Sequence, residues 1–149
     1  MGVIVVGIDH SAGAKNALRF AAAEAQLRQA TLRPVHAWQF AHVAPGIEAA
    51  YSGLDANLEE LRQAAEAVLE ATVRETIPDE GALSVELRVV EGLPASVLVD
   101  ESRHAELLVV GSRGLGGFRG LLLGSVSQQC AQHAACPVVI VRAPSETSR

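Results

Sequence analysis

The chain has 149 residues, 49% of them hydrophobic, with 17 acidic side chains against 12 basic ones and a formal net charge of −5. That length fits one domain able to bury a substantial core, and that composition excludes a disordered chain. The acidic balance argues against broad binding to nucleic acid or an anionic membrane, and no apolar run approaches the about 20 residues that span a bilayer.

An apolar, β-branched run opens the chain and predicts a strand over 3–8, ending in Asp9. Such a start lacks the basic residues and cleavage site of a secretion signal, which points to a cytoplasmic protein. A helix is expected over 12–29, with Ser11 as N-cap and Ala14, Ala17, Leu18, Ala21 and Ala25 on one face. A second strand covers 32–38. Residues 40–54 show no periodicity and contain Pro45, Gly46 and Gly53. A connection this long is either functional, here a lid, or an ordinary surface insertion.

The next helix spans 55–76, capped by Asp55, with Leu58, Leu61, Ala65, Val68, Leu69 and Val73 turned inward. A third strand follows over 84–90. Pro94 suits the first turn of a helix over 94–103. The fourth strand covers 106–111, and another helix starts at Ser125 and stops before Pro137. Val138 to Val141, in a fifth strand over 137–142, shows no alternation, as a strand covered on both faces requires. The domain is expected to end at 143, leaving 144–149 as a disordered tail. Strands alternating with helices imply an α/β fold, a parallel sheet with helices on both faces. Cys130 and Cys136 form neither a disulfide framework nor a metal set and are expected to be reduced, buried packing residues.

The most informative stretch begins where the fourth strand ends. Gly111-Ser-Arg-Gly114, nine residues, then Gly124-Ser125 join a strand end to a helix start. Glycine lets backbone approach a ligand closely, and a helix N-terminus offers unpaired N–H groups to a phosphate. By itself this spacing is also found in plain turns.

Gly-x2-Gly-x9-Gly-Ser resembles the ATP-binding signature of the universal stress protein family, and GSRGLGGFRGLLLGSVS, Gly111 to Ser127, has no substitution at its motif positions. Val3 to Asp9, Val35-His-Ala37, Glu91-Gly-Leu-Pro-Ala95 and Cys136 to Arg142 extend the resemblance over most of the chain. It implies a doubly wound, Rossmann-like, five-stranded parallel sheet of order 3-2-1-4-5. Ligands of open α/β sheets bind where the winding reverses, here between the first and fourth strands, which end at Asp9 and Gly111.

The same resemblance implies ATP as the ligand, with ADP and AMP as alternatives, accompanied by Mg²⁺. Val110, Gly111, Arg113 and Gly114 would approach the ribose and phosphates. Gly124, Ser125, Val126 and Ser127 would supply N–H groups, with both serine hydroxyls donating to phosphate oxygens; for Ser125 a simple capping role is the alternative. Asp9, an acceptor, would face an adenine amine, a ribose hydroxyl or Mg²⁺, or else cap the helix after it. Gly7 and Ile8 would line the adenine slot, and Ala37 would read adenine through its main chain. His36, Trp38 and Phe40 read as packing residues. Arg119 is either a contact to the terminal phosphate or a solvated loop residue.

No Gly-x4-Gly-Lys-Ser/Thr is present, and the only lysine, Lys15, lies far from any glycine loop. Asp9 and Arg119 do not make the positioned base and charge clamp of fast phosphoryl transfer. His10, His42, His104 and His133 lack metal-ligand spacing, and Gly7-Ile-Asp-His-Ser-Ala-Gly13 lacks a dinucleotide fingerprint. The chain reads as a binder: an ATP-dependent regulatory or protective module of the stress response. A slow ATP hydrolase or nucleotidyl-transfer enzyme and a nucleotide-independent interaction dimer are the alternatives. The apolar edge at 137–142 needs covering, and family members pair this strand, so a homodimer is expected.

Overall fold

The computed structural model describes residues 2–39, 55–78, 81–112 and 123–142, with side chains from 58 onward in the second stretch. In chain order the elements are β1 (Val3–Gly7), α1 (Ala12–Arg28), β2 (Thr31–Trp38), α2 (Asp55–Thr76), β3 (Arg88–Glu91), α3 (Pro94–Ser102), β4 (Leu107–Gly111), α4 (Ser125–His133) and β5 (Val138–Val141). The strands are all parallel and lie in the order β3-β2-β1-β4-β5. The winding thus reverses between β1 and β4, whose register pairs Ile4 with Leu107 and Val6 with Val109.

Successive side chains of a strand point to opposite faces, so each central strand feeds two cores. Ile4, Val6, Leu32, Leu107 and Val109 pack with α1 and α2 residues on one face. Val5, Val35, Leu108 and Val110 pack with Val97 and Leu98 of α3 and Cys130 of α4 on the other. Full burial of side chains such as Leu18, Leu32, Leu69 and Leu108 contributes about 1.5–3 kcal/mol apiece. Alanines at 14, 17, 21 and 25 let α1 lie close to the sheet. The approach is tightest at the end of β4, where a Cβ on Gly111 would come within 3.2 Å of the Gly13 carbonyl carbon and oxygen.

Three expectations need correction. The third strand is Arg88–Glu91 rather than 84–90, with Val85 making only an isolated bridge to Leu32. Proline explains the break. Leu32 donates to Ser84 O and accepts from Glu86 N, so the next donor toward the third strand is residue 34. That residue is Pro34, which has no N–H to give Glu86 O. Side chains bridge the gap on the α3 face. Arg33 meets Glu86 and Glu101 at 3.2 Å each, and Arg88 meets the buried Glu101 at 2.9 Å.

The inward face of α2 is also different. Leu69 and Val73 are buried, but Leu61 and Val68 are 48% and 51% exposed, while Thr72 and Thr76 are buried. At 3.6 residues per turn, Leu61 and Val68 lie about 80–100° round the helix from Leu69. Thr72 Oγ1 donates to Val68 O at 3.0 Å. Of the two free cysteines only Cys130 is buried; Cys136 is half-buried. Val139 and Val141 join the α1/α2 core and Val138 and Ile140 the α3/α4 core, so β5 is packed on both faces.

Candidate functional site

The carboxyl ends of β1 and β4 meet the starts of α1 and α4. On the β4 side, Ser112 is the organising residue. Its N–H donates to Val141 O at 2.9 Å. Its carbonyl accepts from Gly124 N at 2.7 Å and from Ser127 Oγ at 2.9 Å. One oxygen thereby clips the start of α4 to the end of β4. Gly124 is the N-cap, extended at φ −75 and ψ 170, with no side chain to cap the helix. The first intrahelical donor is Gln128, to Gly124 O at 3.0 Å, so the N–H groups of Ser125, Val126 and Ser127 lie ahead of it. Together with the helix dipole they make an electropositive mouth suited to an anion.

The two serines differ. Ser125 is exposed, and its hydroxyl accepts from Gln129 Nε2 at 2.9 Å, keeping its own O–H to donate. Ser127 is 2% exposed, and its hydroxyl faces protein carbonyls, Ser112 O and Gly124 O at 3.1 Å, rather than outward. A buried hydroxyl must find a partner, and here it finds backbone. Of the Ser127 donors expected to meet a phosphate, only the main-chain N–H stays on the helix mouth.

On the β1 side the chain turns sharply. Asp9 Oδ1 accepts from Ser11 N at 3.0 Å and Ser11 Oγ at 2.6 Å, and Ser11 Oγ accepts from Ala14 N at 3.1 Å. Asp9 thus reinforces the cap of α1 through Ser11. Between them His10 sits at φ 68, the left-handed region that L residues seldom adopt. Its ring lies 4.6 Å from that of His36, tilted by 43°. His36 Nδ1 is 2.8 Å from Ile8 O. A carbonyl only accepts, so Nδ1 carries a proton. Burial, then the neighbouring His36, push the His10 imidazole below its ordinary value of 6.5, with Asp9 opposing and Lys15 adding a little.

Other expected site residues serve the frame. Gly7 leaves room for Leu98, whose Cδ1 would be 2.8 Å from a Cβ there. The side chains of Ile8 and Val110 are buried in opposite cores, and Val126 and Ala37 are half-buried against the α3/α4 core. Ala37 pairs with Val90 near the end of β2. Gly111 makes way for the Gly13 backbone. Arg113, Gly114, Arg119, Phe40, the 40–54 connection and the 144–149 tail lie outside the described residues. The structure therefore gathers Asp9, Gly111 and the 124–127 segment at one edge of the sheet, joined on the β2 side by Ala37. Sequence reasoning missed the His10–His36 pair. Only the register pairing Gly7 with Val35 brings His36 beside the residues after β1.

Among the described residues no three His, Cys, Asp or Glu side chains are placed to hold a metal ion. A cleft of about 620 Å³ opens at the opposite edge of the sheet, between Gln26, Gln29, Thr31 and Ser84. Among the described residues its lining has no ionisable group.

The family model of the universal stress proteins matches residues 1–142. The chain belongs to this family. It is 38% identical over 139 residues to a universal stress protein of Mycolicibacterium smegmatis, an alignment covering 93% of this chain and 45% of that protein. A universal stress protein of Thermus aquaticus is 36% identical over 141 residues, covering 93% of this chain and 97% of its own. The chain thus spans about half the length of the mycobacterial relatives it matches and nearly all of the Thermus one. Among solved structures, a universal stress protein in complex with cAMP superposes with a TM-score of 0.68 at 28% identity, covering 95% and 96% of the two chains. No helix among the described residues is long and apolar enough to cross a membrane.

Proposed function

We propose that this universal stress protein binds an adenine nucleotide, ATP in the first place, across the carboxyl ends of β1 and β4. The observation that carries the reading is the Ser112 clip, which fixes the first-turn N–H groups of α4 at the point where the winding reverses. A family relative in complex with cAMP supports the choice of an adenine nucleotide. In this reading the α4 mouth and the Ser125 hydroxyl hold phosphate, Gly111, Arg113 and Gly114 lie along the ribose and phosphates, and the backbone at Ile8 and Ala37 faces the base. Asp9, which accepts from Ser11, faces a ligand donor in this reading. Mg²⁺ enters with the nucleotide and is held by its phosphates and water, as suits an ion that keeps much of its hydration.

Binding rather than turnover is the function proposed, a regulatory or protective role in the stress response exercised in the cytoplasm. Nucleotide occupancy acts by favouring one state of a homodimer formed along the β5 edge, which requires a different affinity for nucleotide in the two states. The decisive experiment denatures freshly purified protein, identifies any released nucleotide by mass spectrometry, and titrates ATP with Mg²⁺ into stripped protein by calorimetry. Co-purifying ATP or ADP, or saturable one-to-one binding, is the expected result. A stripped, folded protein that ignores millimolar ATP refutes the reading.

A further inference from the structure

Helices α1 and α4 begin at the same edge of the sheet and are secured in opposite ways. At α1 the N-cap Ser11 sets its hydroxyl oxygen on the N–H of Ala14, the third residue of the helix. That is the common arrangement, and it uses up a first-turn donor within the protein. At α4 the N-cap is Gly124, which has no side chain with which to accept. Ser127 holds the third place in α4, as Ala14 does in α1, and no N-cap side chain reaches its N–H.

A donor holds α4 instead of an acceptor. Ser127 Oγ donates to Ser112 O at 2.9 Å, with Gly124 O at 3.1 Å, and Ser112 O also receives Gly124 N at 2.7 Å. Ser112 is itself tied to β5, its N–H on Val141 O at 2.9 Å. The Ser127 residue is 2% exposed, so water does not compete for its hydroxyl, and the bond engages none of the N–H groups of the first turn. Resting on the nucleotide reading above, we propose that Ser127 is a positioning residue for phosphate. Its hydroxyl replaces a cap, fixing the start of α4 against the end of β4 and leaving the N–H groups of Ser125, Val126 and Ser127 to the anion. Ser125, exposed on the same turn, is the serine that touches the ligand. Donors set in place beforehand lose less freedom when the ligand arrives.

Amide hydrogen exchange of ligand-free protein, with titrations of ATP by calorimetry and of adenosine by NMR, tests the assignment on wild type, Ser127→Ala and Ser125→Ala. The Gly124 amide, bonded to Ser112 O, is expected to be protected in ligand-free wild type. In ligand-free Ser127→Ala it is expected to exchange about 3- to 10-fold faster, and ATP to bind about 3- to 10-fold more weakly, the range of one neutral hydrogen bond. Adenosine, which has no phosphate, is expected to change by less than about twofold. Ser125→Ala is expected to weaken ATP binding and leave Gly124 exchange as in wild type. A Gly124 amide that exchanges freely in ligand-free wild type overturns the proposal without recourse to any variant. So does ATP binding unchanged in folded Ser127→Ala. Weaker ATP binding in Ser127→Ala with Gly124 exchange unaltered also overturns it, because the hydroxyl would then act on phosphate directly. These three results leave the nucleotide reading standing, whereas a wild type that binds no nucleotide overturns both.

Discussion

Replacing Ser125 by proline separates the anion site from the fold. Ser125 is the first residue of α4, where proline is well tolerated because the missing N–H has no intrahelical partner. The residue before a proline must be extended, and Gly124 already is, at φ −75 and ψ 170. The site is exposed, and among the described residues its side chain bonds only to Gln129. Stability should therefore change by about 0.5 kcal/mol or less, as for an ordinary surface substitution. Ligand binding, in contrast, loses an N–H and an O–H aimed at phosphate. A hydrogen bond to a charged partner is worth about 1.5–3 kcal/mol, and each 1.4 kcal/mol is tenfold in affinity. Two such bonds at the lower figure raise Kd by about 100-fold. Calorimetric titration of ATP into wild type and Ser125→Pro, with thermal unfolding of both, gives the comparison. A Ser125→Pro protein that unfolds like wild type and binds ATP equally well would refute the assignment of phosphate to the α4 mouth.

Gly111→Ala should cost about 1–3 kcal/mol by overpacking, because its Cβ meets Gly13 backbone that can yield only by shifting α1; urea unfolding measures this. Leu69→Ala should cost about 2–5 kcal/mol and Leu61→Ala about 0.5 kcal/mol or less, so equal losses in denaturant titrations would contradict the α2 face described. The His10 imidazole should titrate below 6.5 by NMR, and His36→Gln should raise its value by removing the second imidazole. Because the folded value lies under the unfolded one, the unfolded chain binds more protons in between. His10 therefore contributes fully above pH 6.5, and that contribution is lost as pH falls from there through the folded value. A His10 titrating at or above 6.5 would contradict this account.

Much of the scaffold could be read in the sequence because period and capping are local. Ser11 as the cap of α1, Pro94 in the first turn of α3 and the unalternating Val138 to Val141 depend on their own neighbours in the chain. The order of the strands required family resemblance. The errors arose where a residue's partner is distant. Pro34 was visible, but the loss it causes at Glu86 depends on which edge of β2 its missing N–H faces. Leu61 and Val68 read as inward, but their angle on α2 turns them away from the buried Leu69. Ser127 looked like a free donor, but the fold sets Ser112 O beside it. Gly111 was read for close ligand approach, and that its missing Cβ also admits the Gly13 backbone depends on a contact made only in the fold.

The missing amide at Pro34 also bears on how the sheet comes apart. It divides the seam between β2 and the third-strand segment into a short hydrogen-bonded piece at Ser84–Glu86 and another at Arg88–Glu91. A seam divided in this way can unzip in stages, whereas the β1–β4 seam, buried between two cores, opens only with the whole protein. Amide hydrogens of Arg88 to Glu91 should exchange well before those of Val5 and Val109. The flank of the sheet beside Ala37 and His36 is thus looser than the β1–β4 seam, and a molecule lying against it would meet backbone that can adjust.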